Sequence, residues 1–183
     1  MPAQFGRVDK IVLAVSLLAL AAWVIFPESI VSGYTGILAG LANFYRLARW
    51  TGWCCFAEPL VVILHVGYLF VPIGFVLTGA SVLYPDAIPH AAAQHAWMAG
   101  AIAIMTLAVM TRASLGHSGR PLVASRQISA IYVLAVVAAT TRIAAGIAPA
   151  VPWLLEIAGM TWIMAFSGFV IVYAPLLALR RTG

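Results

Sequence analysis

Charge is what this chain has least of. Only 8% of its 183 residues are Asp, Glu, Lys or Arg, and just 5 of those are acidic. A water-soluble domain carries about a quarter charged residues. So few charges cannot cover a water-facing surface, which excludes an ordinary soluble domain and makes lipid the solvent for most of the chain. The formal net charge of +5 comes from basic residues scattered singly. That scatter is not the clustered footprint of a nucleic-acid protein, so no nucleic-acid partner is expected. Cysteine is nearly missing too. Cys54 and Cys55 are adjacent and cannot close a relaxed disulfide, which excludes a disulfide framework.

Hydrophobic residues fill the space left by charge: they make up 64% of the chain, with a mean hydropathy of +1.05. A helix needs about 20 mostly apolar residues to cross the hydrocarbon core. Six stretches qualify, near 10–26, 30–45, 59–81, 91–111, 123–147 and 152–179, separated by turn or charge signals such as Tyr84-Pro85-Asp86 and Gly116 to Pro121. The expected fold class is therefore all-α, a polytopic transmembrane bundle of about six spans forming one membrane domain over 1–183. The first stretch resembles a signal peptide at Ala19-Leu20-Ala21, but its apolar run continues to Phe26 and reads as an uncleaved anchor.

Basic residues orient the bundle. With the N-terminus inside, Arg7, Lys10, Arg46, Arg49, Arg112, Arg120, Arg126, Arg180 and Arg181 all fall on cytoplasmic segments, and only Arg142 lies towards the outside. Six spans with both ends in the cytoplasm obey the positive-inside rule. Trp50 and Trp53 inside, with Tyr84 and Trp153 outside, suit an interfacial aromatic belt. In the weakest span, Gly36 and Gly40 make a GxxxG step that favours close helix approach.

Ionisable groups inside spans are costly and usually face a partner or a cavity. Counting from the turns near Pro85 and Pro149 puts Glu58 level with Arg112, and Arg142 level with Glu156, so two ion pairs are expected. The histidines carry any metal chemistry. Imidazole is a common ligand for haem iron and for copper, which makes His65, His95 and His117 the metal candidates; His90 reads as solvated. At 1.5 Å per residue, His65 and His95 are about 15 Å apart in depth, too far to share one metal. His65 is instead level with Met105, which leaves His/Met ligation open. Tyr68, three residues after His65, would place a phenol beside a metal.

From His95 the chain reads HAWMAGAIAIMTLAVMTRASLGHSGRPL, and from Glu58 it reads EPLVVILHVGYLFVPIG, preceded by Arg46, Arg49 and Trp50. Over about 46–122 these stretches resemble the NnrS family: its Arg-x-x-Arg-Trp lead-in, its Leu-His-x-x-Tyr helix, and its Leu-Gly-His-Thr-Gly-Arg-Pro-Leu motif with Ser118 for the threonine. The resemblance implies a haem- and copper-containing protein of the bacterial inner membrane, linked to nitric oxide stress and denitrification. On that reading haem sits between the third and fourth spans and their neighbours, with His65 the favoured axial ligand, His95 or His117 the next candidates, Tyr68 beside the metal, and Arg112 and Arg120 for the propionates. Family members are typically about twice this length, with a His-x-His-Glu motif in their N-terminal half that is absent here. The chain thus resembles the C-terminal half, and its expected partners are the lipid bilayer and either a separate N-terminal-half protein or a second copy of itself. A nitric oxide reductase-like or quinol-linked oxidoreductase, and a copper or haem transport or assembly factor, are the competing readings. Broken helices at Pro72 and Pro175 would favour transport.

Overall fold

The computed structural model describes residues 3–178. They form six helices and no strand: α1 (Arg7–Ile25), α2 (Ile30–Ala48), α3 (Pro59–Leu83), α4 (His90–His117), α5 (Arg126–Ile147) and α6 (Trp153–Ala178). Leu179, Arg180 and Arg181, expected at the inner end of the last span, lie outside the described residues. Five helices are long and apolar enough to cross a membrane; α2, at 19 residues, is less apolar.

The distribution of polarity in α2 explains why it still belongs to the bundle. Its buried residues are Ser32, Gly33, Gly36, Ala39, Gly40 and Asn43, while Leu38 and Leu41 are each 58% exposed. A water-soluble helix would do the reverse. Polar and small side chains face inwards and large apolar ones outwards, the arrangement expected when lipid is the solvent.

Local signals set the helix ends. Ser29 and Ser125 cap α2 and α5, their hydroxyls accepting from the Val31 and Ile128 amides at 3.3 Å. Pro59 occupies the first turn of α3, where its missing N–H costs nothing. The fourth span runs six residues past the expected 111, to His117. It stops because Gly119 adopts φ 63°, so that its N–H donates to Gly116 and the Arg120 N–H donates back to Leu115. Those two bonds form a Schellman cap. The helix also continues through Pro72 in α3 and Pro175 in α6, so neither proline breaks its helix.

Contacts between neighbouring helices run in opposite directions. Ser16 meets Asn43, and Asp9 meets Arg46. Gly36 faces Gly79, Gly67 faces Met105, Gly74 faces Trp97, and Gly168 faces Ile131. Each helix is therefore antiparallel to the one before it. The N-terminal ends of α1, α3 and α5 share one end of the bundle with the C-terminal ends of α2 and α4. All the described basic residues except Arg142 lie at that end.

The main core joins Leu60, Ile63 and Phe70 of α3 to Ile104 and Leu107 of α4, Ile131 of α5 and Phe169 of α6. One feature of α4 is not visible in its hydrophobic pattern. Residues Ala96–Ile102 form a π-helical turn. Trp97 there donates its indole N–H to the Val71 carbonyl at 3.1 Å and sits edge-on to Trp23 of α1 and Phe75 of α3, at 5.7 and 5.1 Å. The widened turn lets one indole tie three helices together. Gly74 and Gly100 leave room for Trp97 and Phe70, since a Cβ at either would overlap the ring.

Candidate functional site

His65 stands on the face of α3 that looks towards the end of α2. Its Nδ1 lies 3.0 Å from the Val61 carbonyl one turn earlier. An imidazole that donates there carries its proton on Nδ1, which leaves the Nε2 lone pair for another partner. The ring edge rests on Gly52, where a Cβ would come within 2.5 Å of it, and Trp50 sits edge-on at 6.1 Å. Gly52 belongs to a short 3-10 turn, Gly52–Cys55, entered through Thr51 at a positive φ of 49°. That turn folds the chain back over α3 and brings glycine, not a side chain, against the histidine.

The imidazole forms part of the wall of a cavity of about 380 Å³. Phe44, Leu47, Trp53, Phe56 and Leu69 make most of the rest, so the His65 imidazole stands in a largely apolar setting. Cys54 and Cys55 are free thiols in the same turn, Cys54 exposed.

Beside this cavity runs a chain of polar groups. The Arg46 Nε donates to Asp9 Oδ1 at 3.0 Å, and its Nη1 donates to the Tyr68 hydroxyl at 3.0 Å. Tyr68 in turn donates to Asn43 Oδ1 at 2.6 Å, and Asn43 Nδ2 donates to Ser16 Oγ at 2.7 Å. Arg49 Nη1 lies 3.5 Å from the other Asp9 oxygen. Trp50 covers the assembly: the Arg46 guanidinium lies 5.0 Å from its ring centre, and the Tyr68 ring 4.6 Å. Trp50 is thus turned inwards, whereas Trp53, Tyr84 and Trp153 are exposed near helix ends as an aromatic belt requires.

Asp9 is the residue that sequence reasoning missed. It is 3% exposed, accepts from the Gly6 amide at 2.9 Å and from Arg46, and forms an ion pair with Arg49. Its signal was present: one carboxylate in the first turn of an anchor, among several basic residues and only 5 acidic ones in the chain. What the sequence does not show is that α1 and α2 meet with Asp9 level with Arg46.

The two expected ion pairs are not formed. Among the described residues the ion pairs are Arg46–Asp9 and Arg49–Asp9. Glu58 and Arg112 share a depth but are both exposed, and equal depth does not fix the direction in which a side chain leaves its helix. Glu156 is also exposed and forms no ion pair with Arg142. Met105 is likewise not a partner for His65. Met105 packs on Gly67, and residues two apart on a helix point about 200° apart, so the two occupy opposite faces of α3.

The remaining candidates are dispersed. His117 and Arg120 are exposed within the Schellman cap, where Gly119 gives the Gly-His-Ser-Gly-Arg run a structural task. His90 is exposed and pairs with Ser81 Oγ at 2.9 Å. His95 lies at the opposite end of the bundle from His65, against α5 and α6. Among the described residues, no three of His, Cys, Asp and Glu gather as a metal-binding group.

A family model described as NnrS protein matches residues 1–181, well beyond the 46–122 that carry the visible motifs. No curated protein and no solved structure matches the chain.

Proposed function

This membrane protein belongs to the NnrS family, and from that premise we propose that it binds haem in the bacterial inner membrane and contributes to tolerance of nitric oxide. The observation that carries the reading is His65: an imidazole with one nitrogen committed to its own helix, on the wall of a 380 Å³ apolar cavity. Haem, when bound, supplies an iron centre for diatomic ligands, and a proximal histidine is a common way to hold it.

The chain's own residues would do the rest. The Val61 carbonyl orients the imidazole, as second-shell acceptors do for ligating histidines. Gly52 and Trp50 hold the ring from the side, and Phe44, Leu47 and Phe56 exclude water. Arg112 and Arg120 do not line this cavity, and Arg46 and Arg49 are turned to Asp9, so the donor set fits an axial ligand and an apolar wall without a propionate clamp. Copper fits less well, because no cluster of three suitable ligands occurs among the described residues. A copper site would draw ligands from a second copy or from a separate N-terminal-half protein.

The oxidoreductase reading needs Tyr68 to deliver a proton near His65. Its hydroxyl hydrogen is directed instead to Asn43, and it is held in place by Arg46, so the phenol serves the polar chain.

Purified protein reconstituted with haem is expected to show a Soret band that His65→Ala abolishes, while His95→Ala and His117→Ala retain it. A band unchanged in His65→Ala would overturn the assignment.

A further inference from the structure

At the end of the bundle opposite His65, a cavity of about 550 Å³ opens between α4, α5 and α6. It carries two polar side chains, Arg142 and His95; its other walls include Ala99, Leu155, Ala158 and Ile163. Arg142 lies about 8 Å from the end of α5, at 1.5 Å per residue. It is half-buried, and among the described residues it has no ion pair.

A cation in a membrane helix usually faces a countercharge, and here the nearest acidic side chain in sequence, Glu156, is exposed and forms no ion pair with it. A metal ion bound at His95 would meet the Arg142 charge across an apolar cavity. An anion would be drawn to both groups, since guanidinium offers paired donors that match a carboxylate and the imidazole can add another. The rim supports an apolar tail. Leu155, Gly159 and Ile163 are exposed on the outer face of α6, and a Cβ at Gly159 would meet nothing within 4 Å. The cavity therefore opens sideways, where lipid chains lie, and its volume is in the range of ordinary small-molecule sites.

We propose that this cavity binds an amphipathic carboxylate, its head group on Arg142 and His95 and its acyl tail leaving past Gly159. The site is independent of haem binding at His65.

Trp162 lines the cavity and serves as the reporter. The full chain in phosphatidylcholine nanodiscs is titrated with ω-bromododecanoate, whose bromine quenches indole fluorescence. Saturable quenching is expected, absent with ω-bromododecanol at the same concentration and absent in Trp162→Phe. Losing a charged hydrogen-bond partner should make Arg142→Gln bind about tenfold or more weakly. Gly159→Leu, which leaves Arg142 in place and adds its side chain where there is open space, should block binding while the protein still folds. Equal quenching by the alcohol, or undiminished binding by both variants, would overturn the proposal and leave Arg142 as a side chain reaching the head groups. Saturable quenching by a phosphatidylglycerol with brominated acyl chains, without saturable quenching by the bromo acid, would overturn the carboxylate assignment in favour of a lipid phosphate.

Discussion

Asp9 holds together the polar chain at the basic end. In water an exposed ion pair contributes little, but here the carboxylate is buried by the chain and faces two guanidinium groups at once. Removing its charge would leave both arginines uncompensated in a poorly solvated place, which is costlier than losing a neutral bond. Asp9→Asn keeps the shape and can still accept from the Gly6 amide, so it isolates the charge. It is expected to lower the Tm in neutral detergent, and to do so more than Tyr68→Phe. The tyrosine change removes one bond accepted from Arg46 and one given to Asn43, about 1–2 kcal/mol together. An unchanged Tm in Asp9→Asn would mean that water already solvates this corner.

At the level of helices, packing between α2 and α3 depends on glycine. The GxxxG step of α2 was legible in the sequence; its counterpart Gly79 on α3 was not. A Cβ at Gly36 would stand 3.1 Å from the Gly79 Cα, and one at Gly40 would stand 3.0 Å from the Pro72 carbonyl. At Gly79 the neighbours are backbone atoms of α2 on both sides, the Gly33 carbonyl and the Ile37 amide, which cannot rotate away. Gly79→Ala should therefore separate the helices and cost about 1–3 kcal/mol. Gly159→Ala on α6, with open space around the new methyl group, should be neutral or stabilising by up to about 1 kcal/mol. Thermal unfolding of the two variants side by side tests this. Similar losses in both would show that helix propensity, not close approach, decides the effect. The same scale explains the corrected ion pairs. Depth along a helix follows from counting residues, whereas rotation about its axis depends on neighbours, and Glu58–Arg112 failed on rotation alone.

For the molecule as a whole, the antiparallel order collects Arg7, Lys10, Arg46, Arg49, Arg112, Arg120 and Arg126 at one end and leaves Arg142 near the other. By the positive-inside rule that end is expected to face the cytoplasm. Reporter fusions at Pro85 and Pro149 should read outside, and one at Gly119 inside. A cytoplasmic reading at Pro85 would invert the map. Much of this was settled by composition and spacing alone. The scarcity of charge made lipid the solvent, and apolar runs of sufficient length marked the spans, to within a few residues everywhere but at the end of α4. These are local properties, carried by each segment whatever surrounds it. Tertiary structure alone decided which groups meet. It placed Asp9 against Arg46, turned the Tyr68 hydroxyl to Asn43, set His65 and Met105 on opposite faces of α3, and left Arg142 beside His95 without an ion pair among the described residues. Each outcome depends on helix rotation and on close approach at glycines or a π-turn, and those are fixed by packing between segments distant in sequence.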